Sequence, residues 1–331
     1  MDNYVAPEIP GYAKIIVEKV LGSQVKVQSV EWTAGGLFNK VFYINTTEGC
    51  FVLKIECNRI LPSTRTGQME TEVEGSRIFK RADINCPNIL KYDFTGNDIG
   101  VRYIFTERVS NDILWGELDK MDEAAKTEIE RKASEIAVKM REIKNTHFGS
   151  LTPSGLLGWH KTWAECYKAW FNLIIKDSVE IELFTSGEFA VVKAAAEAPL
   201  ESSDKYLPAF EHGDLGYHNM IWGNTNNGAD DLYVIDFGNS KYLPPHLSAG
   251  GSPFDAPDGK NLDKGINLLL LYDFEMGVMW KEMAKITEDY AHCTNWLTNY
   301  IETAKKDTSR DHITEFVEKC REVIQTIKNP T

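Results

Sequence analysis

From Pro10 to Leu21, apolar residues recur at Ala13, Ile16, Val17 and Val20, the spacing of one helix face. The period then shortens to two. Val25, Val27 and Val30 lead to Gly35-Gly36. Val41, Tyr43 and Asn45 follow, then Phe51, Leu53 and Ile55 beyond the turn Thr46-Thr47-Glu48-Gly49. These segments predict three strands joined by turns. A loop from Asn58 to Gln68, rich in Pro, Ser, Thr and Gly, precedes a predicted helix over Met69–Arg81. Asn88–Phe94 and Gly100–Thr106 predict two more strands around Thr95-Gly96-Asn97-Asp98.

Beyond Glu107 the pattern is mainly helical, over about Glu117–Asn145, Trp159–Phe184 and Ser186–Ala198. A short β island interrupts it. The island holds Phe210, the polar loop Glu211–Asn219, Met220-Ile221-Trp222, a turn at Asn224–Asp230, and Leu232-Tyr233-Val234-Ile235. Helical patterns return near Asp263–Trp280, Thr287–Ala304 and Ile313–Lys328. The expected class is therefore α+β. A five-stranded antiparallel sheet with a helix fills residues 1–107, a mostly helical lobe fills 108–331, and a hinge lies near Glu107–Asn111.

Composition narrows the function classes. The net charge is −13, which disfavours nucleic acid and anionic membranes as partners. The asymmetry is informative: residues 1–107 carry a balance of −1 and the remainder −12. No apolar run is long enough to span a bilayer, and Met1-Asp2-Asn3-Tyr4 lacks the regions of a signal peptide. The six cysteines show no C-x-x-C or zinc-finger spacing. These features predict a soluble, cytoplasmic protein with reduced thiols; a monomer is expected.

The chemistry concentrates in Glu211-His212-Gly213-Asp214-Leu215-Gly216-Tyr217-His218-Asn219. Asp236 follows at the end of the apolar strand Leu232–Ile235, itself followed by Phe237-Gly238. An Asp ending a buried strand is placed to hold a cation, and the oxygens of Asn219 and Asp236 suit Mg²⁺. Asp214 is then placed to act as a general base on a substrate hydroxyl. Either element alone is commonly a capped turn. Together, His-x-Asp-x-x-x-x-Asn and Ile-Asp-Phe-Gly form the protein-kinase pattern of base, metal-binding Asn and metal-binding Asp. Lys54 fits the same pattern, standing mid-strand in Phe51-Val52-Leu53-Lys54-Ile55, where an unpaired charge is costly. The helix after it offers Glu70, Glu72 and Glu74, with Glu72 preferred as the partner and Glu74 second. Gly35 and Gly36 would let the backbone approach phosphate oxygens.

His212-Gly213-Asp214-Leu215…Asn219, with Val234-Ile235-Asp236-Phe237, resembles the aminoglycoside phosphotransferase family of small-molecule kinases. The family has Gly between the His and the catalytic Asp, as here. Gly35–Asn39, Val52-Leu53-Lys54, Glu72-Val73 leading to Pro87, and Ile104–Val109 also match. Phe148-Gly149…Trp159…Trp163 is similar to hygromycin-phosphorylating members. The chain departs from the family pattern at Ser110-Asn111-Asp112. It departs again at Asn239–Pro245, in place of Asp-Pro-x-x-Asp, a region that bears on the acceptor.

The resemblance implies a bilobal, protein-kinase-like fold and ATP or GTP with Mg²⁺. It implies transfer of the γ-phosphate to a hydroxyl of an aminoglycoside or related aminocyclitol, as in antibiotic resistance. Asp214 would orient and deprotonate that hydroxyl, and Asn219 and Asp236 would hold Mg²⁺. Lys54, fixed by Glu72, would position the α/β phosphates. The backbone at Glu107–Val109 would bind the purine edge, with Phe105 behind it. His212 and His218 are expected to be structural. The −12 balance of the second part favours a cationic acceptor, with Asp255–Asp263 and Asp273–Glu275 as candidate contacts. The helical stripe Trp159, Trp163, Tyr167 and Trp170 reads as core in preference to a ligand platform. The alternatives are a metabolic kinase for choline, a sugar or an amino-acid alcohol, a nucleotide-sensing pseudokinase, and a metal-dependent hydrolase built on His212, Asp214, His218 and Asp236.

Overall fold

The computed structural model describes residues 8–33, 39–56, 63–110, 112–180, 187, 207–225 and 229–244. Gly35, Gly36, the helices expected beyond Ser186 and the acidic segments after Asp255 lie outside the described residues. In chain order the elements begin α1 (Ile9–Leu21), β1 (Val27–Trp32), β2 (Asn39–Thr46), β3 (Gly49–Glu56), α2 (Gln68–Arg81), β4 (Ile89–Asp93) and β5 (Tyr103–Glu107). They continue with α3 (Glu123–Glu142), β6 (Phe148–Ser150), β7 (Trp159–His160), α4 (Trp163–Glu180), β8 (Ala209–Glu211), β9 (Met220–Gly223), β10 (Asp231–Val234) and β11 (Lys241–Leu243).

These elements belong to two compact units. One comprises Met1–Arg59, Gln68–Met140 and Asp214–Asn239, the other Ile60–Gly67, Arg141–Gly213 and Ser240–Thr331. In the first unit, β1–β5 form an antiparallel sheet of order β1-β2-β3-β5-β4. The alternation of side chains along each strand separates two cores. Leu53, Ile55, Phe42, Ile44, Tyr103 and Phe105 pack with Ile9, Ala13, Ile16 and Val17 of α1. Ile104 packs instead with Met69 and Val73 of α2. Lys54 is opposite Ile104 on β5 and Val41 on β2, so it belongs to this second face.

The turn between β4 and β5 is built around Asp93. Its Oδ1 accepts the Thr95 N–H (2.8 Å) and hydroxyl (2.6 Å), and its Oδ2 accepts the Asp98 N–H (2.8 Å). Gly96 (φ 74°) and Gly100 (φ 81°) supply the left-handed backbone that closes it.

The second unit has a small sheet of order β7-β6-β11-β8, with α4 beside it. On α4, Trp163, Tyr167, Trp170, Phe171 and Ile174 are buried, so three members of the aromatic stripe are core. Trp159 is not on that helix and is 53% exposed. The expected start of α4 moves to Trp163 for a local reason. Thr162 and Glu165 form a capping box, with Glu165 N–H on Thr162 Oγ1 and Thr162 N–H on Glu165 Oε2, both 3.2 Å. Trp159-His160 pairs with β6 ahead of it. Likewise, the expected Glu117–Asn145 helix breaks after a short 3₁₀ turn at Leu118–Lys120, because Asp122 caps the new helix through the Ala125 N–H (2.8 Å). Among the described residues no helix is long and apolar enough to cross a membrane.

The hydrogen bonds to Asp93, led by the Thr95 hydroxyl, pull its carboxyl down to about 2. A depressed carboxyl stabilises the fold above its unfolded pKa, and that stability is lost as pH falls from about 4 towards about 2. Asp93→Asn should therefore lower the melting temperature at neutral pH, at a cost of about 1–2 kcal/mol. It should also flatten the acid limb of a stability–pH curve. An unchanged acid limb would remove Asp93 from this role.

Candidate active site

Four segments of the first unit bring the chemistry-bearing residues together. Lys54 is in β3, Glu72 is in the middle of α2, Asp236 follows β10, and Asp214–Asn219 leads into β9. Lys54 Nζ is 3.1 Å from Glu72 Oε1 and 3.1 Å from Asp236 Oδ1. The other two candidate acids of α2 turn elsewhere: Glu70 pairs with Arg102, and Glu74 with Arg81 and Arg77. Burial works against the Lys54 ammonium, but the Asp236 and Glu72 carboxylates outweigh it and raise its pKa above the ordinary value. Lys54 thus stays charged. Burial pushes Glu72 up, opposed by the Lys54 charge and reinforced by that of Asp236.

Asp236 has a φ of 65°, a left-handed conformation that Asp tolerates better than most residues. The turn it opens is held from both sides. The Val234 N–H donates to Asn85 O (3.0 Å) and the Ile235 N–H to Asn219 O (3.0 Å). After Asp236, Phe237 is buried edge-on to Phe79 of α2, with ring centroids 4.7 Å apart. Gly75 makes the approach possible: a Cβ there would lie 2.5 Å from Phe237 Cβ. A mid-helix glycine costs about 1 kcal/mol relative to Ala, so this notch has a packing function. A Cβ on Gly238 would similarly meet Gln68 Cγ at 2.5 Å.

The Asp214 carboxylate is held by its own loop. Asn219 Nδ2 donates to Asp214 O (2.8 Å) and Oδ2 (3.1 Å), and His218 Nε2 is 2.9 Å from Oδ1. The hydrogen bond to Asp214 raises the His218 pKa against the opposing effect of burial. The loop is pinned to the segment after β5 by Leu114 N–H on Met220 O (2.8 Å) and Trp115 N–H on Tyr217 O (3.2 Å). His212 is fully buried, in the second unit, where its carbonyl accepts the Ser240 hydroxyl at 3.2 Å.

At the end of β5 the backbone is only partly committed. The Glu107 N–H donates to Asn88 O and the Arg108 N–H to Cys50 O; among the described residues no bond takes the Val109 N–H. The Arg108 guanidinium lies 3.7 Å from the Tyr43 ring centroid and 3.3 Å from Asp112 Oδ1. Phe105 differs from expectation. Its side chain is fully buried among the α1-facing residues, opposite Leu53, and so on the other face of the sheet from Lys54. Strand period and register place Val52, Tyr43, Ile104 and Thr106 on the Lys54 face instead. Period-two counting from Lys54 would have found Val52, but Tyr43 and Thr106 needed the pairing.

The family model described as "Phosphotransferase enzyme family" matches residues 32–250. The chain belongs to the phosphotransferase enzyme family. Solved structures share the fold of this phosphotransferase at low identity. A thermostable mutant of aminoglycoside phosphotransferase APH(4)-Ia, in ternary complex with AMP-PNP and hygromycin B, is 14% identical with a TM-score of 0.54, covering 98% of this chain and 100% of that one. A candidate fructosamine-3-kinase from Haemophilus somnus 129PT is 13% identical with a TM-score of 0.56, covering 95% and 96%. The gentamicin complex of APH(2")-IIa is 17% identical with a TM-score of 0.51, covering 98% and 97%. No curated protein matches the sequence. The protein is thus a phosphotransferase with the mixed α/β, kinase-like fold of these enzymes.

The Gly75 notch generates a test. Gly75→Ala should force Phe237 and Asp236 away from α2, costing about 1–3 kcal/mol by overpacking. Calorimetry should show a lower melting temperature, and nucleotide titration a weaker affinity. Unchanged values in both would mean that the close contact has no role in holding Asp236.

Proposed function

We propose that this phosphotransferase transfers the γ-phosphate of ATP or GTP to a hydroxyl of a small cationic acceptor, of the aminoglycoside or aminocyclitol class. The observation that carries the reading is the convergence of the Lys54–Glu72–Asp236 ion group with a loop in which Asn219 ties Asp214 to the strand end beside Asp236. Residues 1–107 serve as the nucleotide lobe and 108–331 as the catalytic and acceptor lobe. Gly35 and Gly36 would let the backbone approach the phosphate oxygens. Glu107 O and Val109 N–H meet the purine edge, and Thr106 and Val52 share the Lys54 face with it.

In the proposed reaction the acceptor oxygen bonds to the γ-phosphorus as the bond to the β–γ bridging oxygen breaks. The hydroxyl proton passes to Asp214, and the nucleoside diphosphate leaves. Lys54 neutralises phosphate charge, and Glu72 keeps it in place. The rate comes mainly from positioning and charge compensation. The donor set fits Mg²⁺: Asp236 is 44% exposed with one oxygen on Lys54, and Asn219 has its nitrogen committed to Asp214, leaving its oxygen for the ion. An ion held by these two protein oxygens would complete its shell with the nucleotide's phosphates and water. Mg²⁺ would supply charge neutralisation on those phosphates.

Asp214→Ala should lower nucleoside-diphosphate release at least ~100-fold with little change in nucleotide affinity. Near-normal turnover would discard the base assignment. Asp236→Asn should shift the Mg²⁺ titration of nucleotide binding to higher concentration; an unshifted curve would argue against the metal role. A panel of hygromycin B, gentamicin, a fructosamine, choline and a neutral sugar, assayed for acceptor-dependent diphosphate release, tests the substrate class. The −12 balance beyond residue 107 predicts that acceptor KM rises with ionic strength more than nucleotide KM does. Activity with a neutral sugar alone would keep the kinase and drop the antibiotic class.

A further inference from the structure

The histidine next to the metal-binding asparagine does more than complete the loop. We propose that His218 is a positioning residue for the reaction: its Nε2–H fixes one oxygen of the Asp214 carboxylate while Asn219 fixes the other, so that the base faces its acceptor in one orientation. The inference rests on Asp214 being the base.

Three observations carry it. First, the two donors divide the carboxylate. His218 Nε2 is 2.9 Å from Oδ1 and Asn219 Nδ2 is 3.1 Å from Oδ2. A carboxylate has about four lone-pair sites, so two remain for an acceptor hydroxyl. Asp214 and His218 side chains are 50% and 43% exposed, so neither contact is forced by a closed core. An exposed carboxylate with one donor would rotate about its side-chain bonds. A second donor on the other oxygen restrains that rotation.

Second, the backbone under the imidazole is glycine. A Cβ on Gly216 would lie 2.6 Å from His218 Cε1 and 2.8 Å from Nδ1. The Gly216 φ of −158° is extended and open to any residue, so conformation does not require glycine here. The ring fills the space a Cβ would take, so a side chain there would displace the imidazole.

Third, the ring has a lateral support. Trp115 meets His218 edge-to-face, with centroids 6.1 Å apart at 75°. Trp115 is 71% exposed, yet its backbone is bonded to Tyr217 O, and its neighbour Leu114 is fully buried. The indole is therefore anchored to the loop it supports. Misplacing a reacting group by about 1 Å can cost about 100-fold in rate, which sets the scale of the expected effect.

The test uses the full-length protein with MgATP, reading diphosphate release to water as acceptor, so no acceptor need be known. His218→Phe keeps a ring over Gly216 and removes the donor; His218→Gln keeps a donor. The phenylalanine variant should lose roughly 10- to 100-fold in kcat with KM for MgATP within about twofold, and the glutamine variant should recover most of the loss. Gly216→Ala, which displaces the ring and leaves the imidazole intact, should reproduce the phenylalanine result. In an Asp214→Ala background, His218→Phe should add no further loss. Wild-type kcat in His218→Phe, or equal impairment of the Phe and Gln variants, would overturn the positioning role while Asp214 stands. Full turnover in Asp214→Ala would instead overturn the base assignment and, with it, this inference. If the wild type hydrolyses no MgATP, nitrogen-detected NMR of the imidazole decides the contact. An Nε2–H signal that shifts in Asp214→Ala supports it, and one that does not shift refutes it.

Discussion

Lys54 stands in the middle of a strand whose neighbours Leu53 and Ile55 are buried, and the arrangement around it follows from what a largely buried ammonium requires. Removing such a charge from water is costly unless opposite charge meets it at hydrogen-bonding distance. Two carboxylates do so, one from α2 and one from the end of the β9–β10 hairpin, both at 3.1 Å. Three elements distant in sequence are thereby drawn to one atom. The group has one ammonium and two carboxyl groups, and Asp236 is the more exposed of the two acids.

The ion group needs α2 and the Asp236 turn at a fixed spacing, and glycine sets that spacing. Gly75 gives Phe237 its seat on α2, and Gly238 gives the side chain of Gln68 room beside the turn. Phe79 closes the contact from the side. Asp236 itself is in a left-handed conformation, a backbone cost that persists where the surrounding structure over-determines it. The turn is not free to relax, because the backbone bonds of Val234 and Ile235 hold the strand that precedes it.

The same economy governs the loop before β9. Asn219 links three things at once: its side-chain nitrogen reaches Asp214, its carbonyl holds the Ile235 N–H, and its position starts the hairpin. The segment after β5 clamps the loop from outside through the amides of Leu114 and Trp115. The segment after the predicted hinge is thus bonded directly to the loop that carries Asp214.

Much of this was determined by the sequence alone. The strand and helix periods in residues 9–107 locate α1, β1–β5 and α2 to within a few residues, because each has one dry face and a clear period. The motif around Asp214, Asn219 and Asp236 carries the resemblance to the family, because it fixes residue type and spacing together. Short elements were not legible. β6, β7 and β11 have two or three residues each, too few to show a period, and Trp159 left the aromatic stripe because pairing with Phe148-Gly149 outweighed helical spacing. Which face of β5 meets Lys54 was also decided only by tertiary structure. Phe105 and Thr106 are adjacent, and a one-residue difference in register exchanges the faces, so only the pairing of Lys54 with Ile104 could send Phe105 to the α1 core. The contact of His218 with Asp214 and the support of Trp115 were hidden for the same reason: a hydrogen bond between loop side chains depends on backbone geometry that no periodicity encodes.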